Sequence, residues 1–178
     1  RPWHSPPHYD SDTGLYLITA ACYEHRHLIG HSPARMAAFE RQLLDTLHEQ
    51  CESVFAWNVL PNHYHAVVRA PKVKSLLKNL GQLHGGTSYT WNGDEVCRGR
   101  QVWFNAVETG IKSERHFWAT MNYVLNNAVH HGYASRWQDW PFCNAAEYLA
   151  EVGREEAERR WREYPPLDYG KEWDPPEL

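Results

Sequence analysis

The spacing of hydrophobic positions changes several times along this chain, and each change marks an element. Alternating apolar residues from Leu15 to Cys22 predict a strand. Ser32 then offers an N-cap to a helix from Pro33 to Gln50, whose Met36, Phe39, Leu43, Leu44 and Leu47 recur at helical intervals. Two further apolar runs, Ser53 to Leu60 and Tyr64 to Arg69, are separated by Pro61-Asn62 and read as a hairpin. A helix from Lys74 to about Leu83 is expected to break at Gly85-Gly86, and a strand is expected around Val102 to Val107. Ser113 caps a helix that carries Phe117, Met121, Val124 and Leu125 on one stripe and ends at Gly132. This order of strand, helix, two strands, helix and strand matches an α+β ferredoxin-like sandwich, an antiparallel sheet with helices on one face.

Beyond that unit, Ala145 to Tyr164 reads as a charged helix, and Pro165-Pro166 and Pro175-Pro176 stop regular structure. The chain therefore divides into a domain over 1–146 and a C-terminal tail over 147–178. Trp161, Tyr164, Leu167, Tyr169 and Trp173 make the tail too aromatic for a disordered acidic segment, so it is expected to pack back on the domain.

Composition supports one compact domain: 178 residues, 42% apolar, with nine tryptophans, suffice for a sizeable core. No apolar run approaches the roughly 18 residues of a membrane span. The stretch Arg1-Pro2-Trp3-His4-Ser5-Pro6-Pro7 lacks the apolar segment of a secretory leader. Cys22, Cys51, Cys97 and Cys143 lie far apart and form no Cys-x-x-Cys, which argues against a zinc knuckle or redox motif and suits reduced thiols in a cytoplasmic protein.

Candidate chemistry centres on His63-Tyr64-His65. Residues two apart on a strand share a face, so both imidazoles point one way while Tyr64, Ala66 and Val68 point the other. Two neutral imidazoles on a rigid strand make half of a divalent-metal site, with Mg, Mn or Zn left open by ligand type; half-buried or surface histidines without that role are the structural alternative. Spacing alone decides little, because His25-Arg26-His27 has the same interval in what reads as a solvated loop. The second element is the helix carrying Tyr123 and Asn127, four residues apart and hence on one face. A phenol and a carboxamide there, set against the histidine strand, would supply a nucleophile and a third ligand; a core-edge tyrosine and a helix-end cap are the alternative.

Pro61-Asn62-His63-Tyr64-His65 resembles the His-hydrophobic-His element of the HUH single-tyrosine transposases. Tyr123-Val124-Leu125-Asn126-Asn127-Ala128-Val129 is similar to the Tyr-Ile-x-x-Asn-Pro-Val helix end of their REP-associated branch, which is related to transposases of the IS200/IS605 insertion sequences. Gly99-Arg100-Gln101-Val102-Trp103 resembles that branch's Gly-Arg-x-x-Trp strand, and Trp140-Pro141-Phe142-Cys143-Asn144 its aromatic-Pro-aromatic-Ser-Ser segment. The four motifs occur in order between about Tyr16 and Tyr148. The resemblance implies that His63, His65 and Asn127 hold Mg²⁺ or Mn²⁺ and that Tyr123 attacks single-stranded, hairpin-forming DNA. The implied product is a 5′-phosphotyrosine linkage and a free 3′-hydroxyl, in the endonuclease and strand-transfer chemistry of DNA transposition and recombination. Ala128 departs from the family, which has proline there; proline would end the helix and place the asparagine. Alanine lets the helix run on, and Asn126 stands beside Asn127 as a second carboxamide.

Charge is uneven along the chain. Residues 69–115 hold eight Lys or Arg against four acids, whereas 147–178 hold five against ten. Lys72, Lys74, Lys78, Arg98, Arg100, Lys112 and Arg115 are candidate phosphate contacts, with Trp91, Trp103 and Tyr89 as faces for unpaired bases. The tail then reads as an acidic strap competing with DNA for the basic face. Two related readings remain beside the transposase: an HUH replication initiator or relaxase, and a domesticated hairpin-DNA binder that no longer cleaves. A histidine-triad hydrolase would need a third histidine where the chain has Val67, and Gly81 to Ser88 lacks the Gly-Lys-Ser/Thr ending of a Walker loop. Monomer and homodimer are both open.

Overall fold

A computed structural model describes residues 14–178 of the protein. The N-terminal stretch Arg1 to Pro7, considered above as a leader, lies outside the described residues. Four strands, β1 (Leu15–Ala21), β2 (Ser53–Val59), β3 (His63–Arg69) and β4 (Val107–Gly110), form an antiparallel sheet in the order β2-β3-β1-β4. The α+β class and the antiparallel sheet expected from the hydrophobic pattern are both present.

Strand periodicity sorts the sheet into two faces. Ile18, Ala20, Tyr64, Ala66 and Val68 face α1 (Pro33–Gln50) and α2 (Val73–Asp94), meeting Met36, Phe39, Leu43, Leu47, Leu76 and Leu80 in one core. Leu15, Leu17 and Val67 face the other way, onto α3 (Glu114–Leu125), where Phe117, Met121 and Val124 build a second core. The sandwich therefore gains a further helical layer over the sheet face that carries the odd-numbered residues of β3. That layer also takes Tyr148 of α5 (Ala145–Val152) and Ala157 of α6 (Arg154–Glu163), so segments on both sides of position 147 share a core. The single charged helix expected from Ala145 to Tyr164 is split by Gly153, whose φ of +84° is a left-handed conformation that glycine adopts without strain.

Two other boundaries differ from expectation. Instead of breaking at Gly85-Gly86, α2 runs on for 22 residues. Leu76, Leu80, His84, Thr87 and Trp91 form a continuous buried stripe along it, and that packing outweighs the roughly 1 kcal/mol that each glycine costs a helix. The strand expected at Val102 to Val107 instead begins at Val107; Trp103 makes only a bridge to Cys22, because Trp103 turns into the core and stacks on His84 at 4.2 Å. Both helix N-caps are as expected: Ser32 accepts from the Arg35 amide at 3.1 Å and Ser113 from the His116 amide at 3.0 Å.

The exposed Gly81 and Gly85 of α2 have open space where a Cβ would stand. Gly81→Ala and Gly85→Ala are each expected to raise unfolding free energy by about 0.5–1 kcal/mol. Urea denaturation checks this, and a loss of stability in both would contradict the helix assignment.

Candidate metal and nucleophile site

His63 and His65 sit at the start of β3 on the face covered by α3. The preceding turn is held tightly: Leu60 N–H donates to the His63 carbonyl at 2.8 Å, and Gly30 N–H to the Pro61 carbonyl at 2.9 Å. A Cβ on Gly30 would stand 2.4 Å from Pro61 Cβ, so only glycine allows that loop to close on the turn. On β2, Asn58 pairs in register with His65, and its amide donates to the Val124 carbonyl at 2.9 Å. That bond docks the end of α3, and with it Tyr123, beside the histidines.

Rather than running on through Ala128, α3 stops at Leu125, and Asn126 takes φ −97° and ψ 5° before the short α4 (Asn127–His130). The break turns Asn127 inward and fully buries it, while the Asn126 side chain bonds back to the Asn122 carbonyl. The structure thus brings together His63, His65, Tyr123 and Asn127, and sets Asn126 aside. His25 and His27 stay in their loop, with His27 reaching the hydroxyl of the half-buried Tyr133 at 3.3 Å.

Orientation within the site follows from donors and acceptors. Asn62 donates its amide to the His25 carbonyl, so its Oδ1 must accept from His63 Nδ1, at 2.6 Å. This leaves the Nε2 lone pair of neutral His63 facing Asn127 Oδ1 at 3.1 Å. Burial, followed by the neighbouring His65 and His131 rings, holds His63 well below the usual imidazole range, so the ring stays neutral. His65 Nδ1 lies 2.8 Å from Thr19 Oγ1, directly across the β1–β3 ladder, which aims Nε2 into the same space.

The remaining participant comes from the tail. Asp174, only 3% exposed, places Oδ1 3.3 Å from His63 Nε2 and Oδ2 3.3 Å from His65 Nε2. It accepts hydrogen bonds from Asn127 Nδ2, at 3.0 Å, and from the Tyr123 hydroxyl. His63, His65 and Asp174 bring ligand atoms within 4.8 Å of one another. Atoms bound about 2.0–2.2 Å from one metal stand roughly 3.0–3.5 Å apart, so these spacings suit a divalent ion. Lone pairs meeting oxygen lone pairs repel, and a cation between them removes the conflict.

Sequence reasoning missed Asp174, Asn62, Thr19 and His131. The tail's aromatic content signalled that it packs back, and it does: Tyr169 and Trp173 lie 4.8 and 5.7 Å from the Tyr123 ring, which is 4% exposed. Nothing local marked Asp174 as the residue that reaches the histidines.

The expected DNA contacts fare unevenly. Lys72, Lys74, Lys78, Arg98, Lys112 and Arg115 are exposed. Trp103 and Trp91 are buried and present no open face, because both pack around Phe39; Tyr89 is exposed, with Arg98 over its ring at 4.2 Å. Arg100 is committed to Glu95 at 3.0 Å. The lysines near the start of α2 follow the far end of β3 from His63, and α2 packs on the opposite sheet face, so closeness in sequence does not place them around the histidines.

Among the described residues no helix is long and apolar enough to cross a membrane. No family model and no curated protein matches the chain. Among solved structures, the chain is similar to a REP-associated tyrosine transposase bound to a REP hairpin, at 18% identity and a TM-score of 0.60, over 80% of this chain and 82% of that one. The resemblance carried by four short motifs thus extends to a shared fold.

Proposed function

We propose that the protein is a metal-dependent nuclease and strand transferase of the HUH single-tyrosine type, acting on single-stranded, hairpin-forming DNA through Tyr123. The observation that carries this reading is the convergence of two imidazoles, a carboxamide and a phenol from β3, α3 and α4 in one buried site. The similar solved structure, itself bound to a hairpin, agrees with it.

His63, His65 and Asn127 would hold Mg²⁺ or Mn²⁺, which when bound polarises a phosphate and lowers the cost of its developing charge. Tyr123 Oη attacks phosphorus in line with the 3′ oxygen of the preceding nucleotide. The Oη–P bond forms as the P–O3′ bond breaks, the phenolic proton is released, and the departing oxygen is protonated to a 3′-hydroxyl. Bond energy is kept in the phosphotyrosine, so rejoining needs no nucleotide triphosphate. Asn62 and Thr19 act by orienting the two rings. Lys72, Lys74, Lys78, Arg98 and Arg115 are the cations proposed for phosphate contacts. Those on α2 suit the duplex stem of a hairpin whose unpaired flank reaches Tyr123, and binding should weaken steeply with salt.

Tyr123 cannot meet a phosphate while its hydroxyl donates to Asp174 and Trp173 stands against its ring. The tail must leave for cleavage. This same closure favours the second reading, a hairpin binder that does not cleave.

His63→Ala and His65→Ala are expected to abolish metal-dependent cleavage of a hairpin with a single-stranded flank. Asn127→Ala should raise the Mn²⁺ needed for half-maximal cleavage on the order of tenfold, with Asn126→Ala silent. Cleavage titrated against Mn²⁺ checks this, and full activity in both histidine variants would overturn the site. Asp174→Ala is expected to raise the cleavage rate about tenfold or more by removing charge-assisted bonds that hold the tail. If that variant binds hairpin DNA tightly and never cleaves it, the binder is the better description.

A further inference from the structure

The tail's carboxylate does more than cover Tyr123. His131 donates Nδ1–H to the Pro176 carbonyl at 3.2 Å, which leaves its Nε2 as an acceptor. That Nε2 is buried, makes no hydrogen bond, and stands 2.9 Å from Asp174 Oδ1. His130 Nε2 lies 2.9 Å from the Asp174 backbone carbonyl. Asp174 thus belongs to two groups able to hold a metal, one with His63 and His65 and one with His130 and His131. No feature of the nucleophile's chemistry requires the second pair of histidines.

This donor set differs from the one proposed for catalysis. That set, two imidazoles and one carboxamide oxygen, leaves positions to water and phosphate oxygens, which suits Mg²⁺, an ion that dehydrates reluctantly. Imidazoles with a carboxylate favour later first-row ions, and a site closed by protein ligands on all sides is of the structural kind, whereas catalytic sites keep a position open. The side chains of His63, His65, His131 and Asp174 are 0–4% exposed, so the closed tail leaves no such position.

Resting on the reading of His63 and His65 as metal ligands, we propose that Zn²⁺, or an ion of like preference, binds Asp174 together with these histidines and His131 and latches the C-terminal tail over Tyr123. The same imidazoles then serve two states: an open one with a hydrated ion available to DNA, and a closed one in which the ion is chelated by the tail. Zn²⁺ acts as an inhibitor by being bound more completely.

The test uses the full chain and hydrogen–deuterium exchange of peptides covering residues 165–178, which reports tail opening without DNA or activity. Zn²⁺ at saturating concentration is expected to slow that exchange about tenfold or more relative to chelator, since an ion that binds only the docked state favours it by the factor 1 + [ion]/Kd. Mg²⁺ at millimolar concentration should leave it unchanged. Asp174→Ala should abolish the Zn²⁺ effect, and His131→Ala should weaken both that effect and Zn²⁺ affinity measured by calorimetry. Equal exchange with Zn²⁺ and with chelator, or full Zn²⁺ protection retained in Asp174→Ala, would overturn the latch. Because exchange is read without DNA, a latch found in a protein that never cleaves would count against the nuclease alone. Cleavage without Zn²⁺ protection would count against the latch alone.

Discussion

The hydrogen bond from Asn58 to the Val124 carbonyl fixes where α3 ends on the sheet, and the site depends on that position. Asn58 is fully buried and stands opposite His65 in the ladder, so the same register that sets the histidine also sets its neighbour from α3. Period two on β3 imposes the complementary constraint. His63, His65 and Val67 share one face and Tyr64, Ala66 and Val68 the other, so a slip of one residue would put Tyr64 where the two imidazoles stand. The apolar cores on both faces make such a slip costly, and the geometry of the site follows from their packing.

Much of this was legible in the sequence, because the signals were local. Alternation marked β1, β2 and β3, serine caps marked α1 and α3, and the two-residue interval of His63 and His65 and the four-residue interval of Tyr123 and Asn127 predicted which side chains share a face. Errors arose where tertiary packing outweighed local preference. Gly85 and Gly86 stay helical because Leu80, His84, Thr87 and Trp91 are buried along α2. Trp103 turns inward because a core with Phe39, Tyr64 and His84 offers more apolar contact than solvent does. Proline is absent at Ala128, yet the chain still breaks one residue after Leu125, so proline is not required to place Asn127. The seat of Asp174 had no local signature, since contact between residues 109 apart is set by the path of the whole tail.

On the proposed function, that seat is one of two states of the site, the other having the tail withdrawn. With the tail docked, Asp174 accepts from Tyr123 and Asn127 while His63 and His65 each aim Nε2 at its carboxylate. Any ligand that binds only the open state, such as a DNA strand, must overcome those contacts, and its apparent affinity falls by the fraction of open protein. On the proposed function, an acidic strap restrains cleavage through the residues proposed as metal ligands while the lysines at the start of α2 stay exposed.

The proposed chemistry joins Tyr123 covalently to DNA. It is tested most directly with the Asp174→Ala protein in Mn²⁺ and a hairpin oligonucleotide carrying different labels at its two ends. The 3′-side label is expected to migrate with the protein on a denaturing gel, the 5′-side fragment to be released with an extendable 3′-hydroxyl, and mass spectrometry to find the nucleotide on the peptide containing Tyr123. Attachment of the 5′-side label, or an adduct that persists in the Tyr123→Phe variant, would contradict it.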